Sequence, residues 1–222
     1  METIATTVTL HVEELKQKLL RGKTIQKSFR FPLTQEQAKA VLVASYQVEV
    51  ESRGRQYVED EATMQNLAKL AEALTDNGYK FGVMMCGISG NGKTTMMNAL
   101  KGAIQLMSNS SLFEKPCRLE VIDAIELSAL YARNEERYLE FRKCPLLGIE
   151  DMGREPREVQ VYGNAYNPII ELLEYRYARQ LFTVITTNLE AKEVREKYGS
   201  RIADRFNEML KVIIFKNATY RK

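Results

Sequence analysis

The chain has 222 residues, 45% hydrophobic and 27% charged, ordinary values for a globular protein; at about 150 residues per domain this allows one full domain and a smaller piece. With 32 Lys and Arg against 29 Asp and Glu the net charge is +3, which excludes a histone-like polycation but not a local basic patch. One histidine, His11, excludes a His-rich zinc site, and three scattered cysteines, Cys86, Cys117 and Cys144, fit neither a metal knuckle nor a disulfide framework.

Any chemistry therefore falls to carboxylates, Lys, Arg or a hard metal ion, and the thiols point to a reducing cytoplasm. No apolar run approaches the roughly 18 residues of a membrane span, and the N-terminus lacks the pattern of a signal peptide.

In chain order, apolar residues at 12, 15, 19 and 20 predict a short amphipathic helix that Gly22 ends. Arg21, Lys23, Lys27 and Arg30 follow as a basic stretch. Thr34 and Gln37 form a capping box for a helix from Gln35 to about Arg53, ended by Gly54. A second helix is predicted from Glu61 to Leu74, closed by Asp76-Asn77-Gly78. Residues 1–54 read as a small helical appendage, and residues 55–222 as the main domain.

Beyond Gly78, strands are predicted at 81–86, 118–122, 145–149, 181–186 and 212–215, with helical patterns between them. Strands alternating with helices predict an α/β fold with a five-stranded parallel sheet, binding its ligand at the carboxyl ends of the strands.

Gly87-Ile88-Ser89-Gly90-Asn91-Gly92-Lys93-Thr94 matches GxxxxGK[ST] in full, between a strand and a helix. Glycines let backbone N–H groups converge on phosphates, and the following helix presents its positive end to them. Gly87, Ser89, Gly90, Asn91, Gly92, Lys93, Thr94 and Thr95 are the expected nucleotide-binding residues. Lys93 supplies the charge, and Thr94 a hydroxyl for Mg²⁺.

The strand Leu146–Ile149 ends in two adjacent acids, Glu150 and Asp151. In a P-loop sheet one such acid holds the Mg²⁺ shell and the next orients attacking water. The usual order is Asp then Glu, so which of these two meets metal stays open. Asn188 ends the run Thr183–Thr187, where an amide beside the γ-phosphate would position water; an ordinary turn Asn reads the same way. Arg201 and Arg205 share a helical face, and either one is an arginine finger for a neighbouring subunit or both pair with Glu196 and Asp204.

These elements together resemble an AAA+ ATPase, and more narrowly the DnaC-type helicase loaders and the related IstB-type transposition ATPases. The residues that carry the resemblance are GISGNGKTT at 87–95, LLGIEDMG at 146–153, VITTNL at 184–189 and YGSRIADRF at 198–206. It covers roughly residues 55–222. It implies Walker A at Gly87–Thr95, Walker B at Glu150 and Asp151, sensor 1 at Asn188, and a finger at Arg205, with Arg201 as runner-up. It implies no C-terminal lid domain. It also implies an ATP- and Mg²⁺-dependent ATPase that forms a homo-oligomer, binds single-stranded DNA and delivers a replicative helicase, gripped by the N-terminal appendage.

For DNA, Tyr131, Arg133, Tyr138, Arg142 and Lys143 interleave aromatics with cations, which suits base stacking and phosphate contact; a solvated helical face is the plain alternative. Three rival functions share the P-loop: a transposition ATPase whose partner is a transposase, a small-molecule kinase, and a nucleotide-gated module with little hydrolysis.

Overall fold

The computed structural model describes residues 14–17, 28–217, 219 and 220. Of the helix expected at 12–20 only residues 14–17 are described, and they are helical; the rest of it lies outside the described residues, as do His11 and the basic residues 21, 23 and 27.

Helix α1 (Gln35–Glu51) starts on the expected capping box: the Gln37 N–H donates to the Thr34 hydroxyl at 3.2 Å, and the Thr34 N–H donates to Gln37 Oε1 at 3.0 Å. Helix α2 (Glu61–Thr75) starts at Asp60, whose carboxylate accepts from the Thr63 N–H at 2.9 Å. Strands and helices then alternate: β1 (Gly82–Gly87), α3 (Lys93–Asn109), β2 (Leu119–Asp123), α4 (Ala124–Arg133), α5 (Glu135–Lys143) and β3 (Leu146–Met152). A hairpin, β4 (Val159–Val161) and β5 (Asn164–Tyr166), precedes α6 (Pro168–Ala178), β6 (Phe182–Thr187), α7 (Ala191–Tyr198), α8 (Ser200–Met209) and β7 (Leu210–Phe215).

Five of the strands form one parallel sheet in the order β2-β3-β6-β1-β7, as the alternating pattern predicts. Neighbouring residues in each strand face opposite layers. Val83, Met85, Val184 and Leu146 pack with α1, α2 and α3 on one side. Met84, Ile185, Leu147 and Ile149 pack with α4 to α8 on the other. The inner strands β3, β6 and β1 are thus buried on both faces, which is why they read as nearly continuous apolar runs, whereas edge strand β7 leaves Val212 and Ile214 exposed.

Helix α1 contributes Ala38, Leu42 and Tyr46 to the first of these layers. Its inner face is therefore occupied by α2 and α3, and anything α1 offers a partner comes from its other faces.

The hairpin β4–β5 has no counterpart among the predicted strands. Its strands have three residues each, and its turn holds Tyr162 at φ 50° and Gly163 at φ 82°. Paired positive φ values are the geometry of a tight type I′ hairpin. Tyr162 at its tip is fully exposed.

One buried cation organises the far layer. Arg176 on α6 is fully buried and donates to the carbonyls of Cys144 (2.8 Å) and Phe182 (2.6 Å) and to the Thr183 hydroxyl (2.9 Å). It also reaches the carbonyls of Phe141 and Arg142, so it caps the C-terminal end of α5. Burial pulls its guanidinium down to about 10.

Candidate nucleotide site

Parallel pairing puts the functional segments on one edge. Cys86 in β1 lies opposite Thr187 in β6, and Ile149 in β3 lies opposite Ile185 in β6. Gly87, Asn188 and the pair Glu150–Asp151 therefore leave the sheet side by side, at the carboxyl ends where ligands bind in such folds.

One cleft on this edge is lined by Ser89 to Thr95, Asp151 and Asn188, joined by Arg53, Arg55 and Tyr220. Its volume is about 310 Å³. The first nine residues are all expected from the motifs; the last three are not.

The phosphate loop turns through Gly90 (φ 80°) and Gly92 (φ 96°), left-handed positions that favour glycine. At Gly87 a Cβ would stand 2.5 Å from Asn91 Nδ2 and 2.6 Å from the Phe215 carbonyl oxygen. Lys93 opens α3 and is 4% exposed. Its ammonium donates to the carbonyls of Gly87 and Ile88, each at 2.7 Å, and to Asn91 Oδ1 at 3.1 Å. The cation is thereby held inside the ring of backbone that a bound phosphate would meet.

Asn91 does more than line the loop. Its amide donates to the Phe215 carbonyl at 3.2 Å, and its own carbonyl accepts from Asn217 Nδ2 at 2.8 Å. The Tyr220 N–H donates to the Gly90 carbonyl at 2.9 Å. The Tyr220 hydroxyl lies 2.9 Å from both the Asp60 carboxylate and the Thr63 hydroxyl. The segment after β7 thus ties the phosphate loop to the start of α2.

The two acids have different surroundings. A register shift between Ile149 and Met152 puts Asp151 at φ 52°, a left-handed conformation that Asp adopts more readily than most residues but less freely than glycine. Its N–H donates to the Thr186 hydroxyl at 2.9 Å, and its carboxylate pairs with Arg154 at 2.9 Å. Asp151 lines the cleft. Glu150 is half-buried, and its Oε1 has no hydrogen-bond partner. Burial pushes its carboxyl above the usual range, and the charges of Asp151 and Asp123 push the same way, against Arg53 and Lys101.

The donor set suits Mg²⁺. Among the described residues no cluster of three or more His, Cys, Asp or Glu could hold a metal ion. A P-loop site needs no such cluster, because phosphate oxygens and water complete the shell. The Thr94 hydroxyl and the Asp151 carboxylate line one cleft, and the buried, unpartnered oxygen of Glu150 belongs to the neighbouring residue. The Cys86 thiol beside the loop is raised by burial to about 11, which keeps it protonated and unreactive at neutral pH.

Arg201 and Arg205 do not line this cleft. Both pair with Glu174 on α6, at 3.2 and 2.8 Å, and Arg205 lies over the Tyr177 ring at 4.9 Å. The acids weighed as their partners pair elsewhere, Asp204 with Arg195 and Glu196 with Lys192. Arg201 has 74% of its side chain exposed, against 19% for Arg205.

The residues considered for DNA separate. Tyr138 is 1% exposed and donates its hydroxyl to the Pro168 carbonyl at 2.7 Å, so it is a core residue and the expected DNA role is corrected. Tyr131 is half-buried between Tyr138 and Tyr166, and its hydroxyl donates to Glu171. Arg142 stacks on Tyr175 at 4.5 Å. Arg133 and Lys143 are exposed, but Glu135, Glu136 and Glu140 share the outer surface of α5 with Lys143.

No protein-family model and no curated protein sequence matches the chain. Solved structures do resemble it. DnaI superposes with a TM-score of 0.57 at 19% identity, covering 85% of this chain and 100% of that one. The DnaC helicase loader superposes with a TM-score of 0.54 at 20% identity, covering 72% of this chain and 93% of that one. The replication initiator DnaA, bound to AMPPCP and single-stranded DNA, gives 0.52 at 15% identity, covering 73% of this chain and 49% of that one. At these identities the likeness establishes the fold. It is the P-loop α/β fold with a five-stranded parallel sheet that the motifs predict, the fold these structures share.

Proposed function

We propose that the chain is a replication ATPase of the helicase-loader type. It binds ATP in the cleft, hydrolyses it slowly as a homo-oligomer in the cytoplasm, holds single-stranded DNA and hands over a replicative helicase through residues 1–54. The observation that carries this reading is the convergence of Lys93, Thr94, Asp151 and Asn188 on one cleft of a loader-like fold.

In this reading the loop backbone and Lys93 bind the β- and γ-phosphates. Thr94 with Asp151 or Glu150 would hold Mg²⁺, which when bound neutralises charge on the phosphates. Asn188 and the acid not engaged by metal orient the attacking water. Arg205, or failing it Arg201, reaches a nucleotide only in a neighbouring subunit, because neither lines its own cleft. The Asp151–Arg154 pair restrains a carboxylate that either metal binding or water activation needs, and this favours slow turnover.

For DNA, the geometry favours the hairpin over α4 and α5. Tyr162 stands fully exposed at its tip, and exposed Arg154 and Arg157 lie on the strand side that leads back to Asp151. An exposed ring on a hairpin that follows exposed arginines in the chain suits base stacking and phosphate contact. A transposition ATPase shares every one of these features, and co-purification of a helicase or a transposase from the native host separates the two.

The first test is nucleotide binding and turnover with and without single-stranded DNA. Lys93→Ala abolishes ATP binding, and Tyr162→Ala weakens DNA binding with ATP affinity intact. Full ATP affinity in Lys93→Ala defeats the assignment of the cleft.

A further inference from the structure

Three side chains reach the nucleotide cleft from outside every nucleotide motif, and two of them are cations: Arg53 and Arg55. They flank Gly54, directly after α1. Gly54 sits at φ 69°, yet nothing lies within 4 Å of the place where its Cβ would be. Glycine there serves the sign of the backbone angle, not a shortage of space. The reversal it allows puts the residues on either side of it on the same cleft.

Their scaffold is firm. Ala38 and Leu42 are fully buried and Tyr46 is 5% exposed, all packed into the layer that holds α3. Two residues before the end of α1, Glu49 accepts from Asn98 Nδ2 at 3.3 Å and forms an ion pair with Arg53. Asn98 lies four residues after Thr94 and so shares its face of α3. Arg53 is thereby stationed over the face of the phosphate-loop helix that carries the metal-binding hydroxyl. It also acts on Glu150, whose ionised form it favours against burial. Its side chain is 43% exposed, held by one carboxylate, and able to exchange that partner for a phosphate. Guanidinium groups are well matched to phosphate, since they donate two parallel hydrogen bonds to it.

We propose that Arg53 and Arg55 bind the terminal phosphate of a nucleoside triphosphate within the same chain, and so make the cleft discriminate triphosphate from diphosphate. This rests on reading the cleft as a nucleotide site. Lys93 and the loop amides grip what both nucleotides share, whereas the arginines act on the group that only the triphosphate has. Loss of that group releases Arg53 to Glu49, so hydrolysis would change the contact between α1 and the cleft.

The test uses the full chain and calorimetric titration with AMP-PNP and with ADP, each with Mg²⁺. Arg53→Gln and Arg55→Gln are each expected to weaken AMP-PNP on the order of tenfold, the usual effect of one charge-assisted hydrogen bond, while ADP affinity changes by less than about threefold. Arg53→Lys, which keeps the charge but not the fork, falls between. Arg118→Gln, at the opposite end of the sheet, serves as the control for net charge and leaves both affinities unchanged. An AMP-PNP to ADP preference within about twofold of the parent in both glutamine variants overturns the proposal while leaving the nucleotide site standing. If the parent chain binds neither nucleotide, or Lys93→Ala binds both as the parent does, the reading of the cleft itself has failed.

Discussion

Glu155 is the most informative residue to perturb, because it is a charge that the fold has buried next to the loop that follows Asp151. It is 3% exposed and accepts from the Gly153 N–H at 2.8 Å and from the Tyr198 hydroxyl, with Lys197 Nζ 3.2 Å away. Lys197, 14% exposed, also donates to the carbonyls of Gly153 and Glu155, each at 2.6 Å. This network fastens the loop that follows Asp151 to α7, the helix that follows Asn188.

Glu155→Gln keeps the shape but removes the charge and strands Lys197. Breaking a buried ion pair costs about 3–5 kcal/mol. Lys197 retains its two carbonyl partners and some water, so the lower end applies, about 3 kcal/mol. That is a large part of a typical stability of about 5–15 kcal/mol. In a chain of this size each kcal/mol moves the thermal midpoint by about 2–4 °C, so a drop of roughly 6–12 °C is expected. Thermal unfolding followed by circular dichroism, without nucleotide, measures it. Adding Lys197→Met should recover much of the loss, because the stranded cation is then gone. A single variant within about 1 kcal/mol of the parent, or a double variant whose losses simply add, refutes the argument from a buried charge pair.

Two further outcomes are expected. Glu150 has a raised folded pKa, so its stabilising protonated form is fully present below the ordinary carboxylate value and is lost as pH rises through the raised one. Glu150→Gln should therefore melt higher than the parent at neutral pH, with the difference vanishing in acid, while Mg²⁺-dependent ATP affinity in the parent declines on acidification before an ordinary glutamate would titrate. Arg176→Met leaves three short hydrogen-bond acceptors without their donor; at about 1–3 kcal/mol for each such group the urea midpoint should fall by a large part of the total stability, and a loss below about 1 kcal/mol would show that α5 needs no such cap.

How much of this was legible beforehand follows from whether the cause is local. The capping box at Thr34 and Gln37, the five strands and the phosphate loop are short-range patterns, and each lies where the sequence places it to within a few residues. The convergence of Lys93, Asp151 and Asn188 followed from strand order. The hairpin escapes a reading of the sequence because three-residue strands are too short to show a period and Tyr162-Gly163 is not among the usual two-residue hairpin turns. Tyr138 read as a DNA contact because aromatic and cationic residues interleave there, and only packing shows that it faces inward. Arg53, Arg55 and Tyr220 could not be foreseen in the cleft, since only the tertiary fold brings them to the loop. Glu155 and Arg176 are further from prediction still: a charge in the interior has no sequence signature apart from the partners that make it tolerable.

The bonds from Asn217 and Tyr220 to the phosphate loop bear on how the protein is made. Asn217 meets a loop residue 126 positions earlier, and Tyr220 meets Asp60 160 positions earlier. Contacts so distant in sequence close late, after the entropy of long loops has been overcome. A chain still emerging from the ribosome can form α1, α2 and much of the sheet before β7 and the segment that braces the loop have been synthesised. A copy cut ahead of Asn217 would therefore keep the phosphate loop but lose the bonds that brace it.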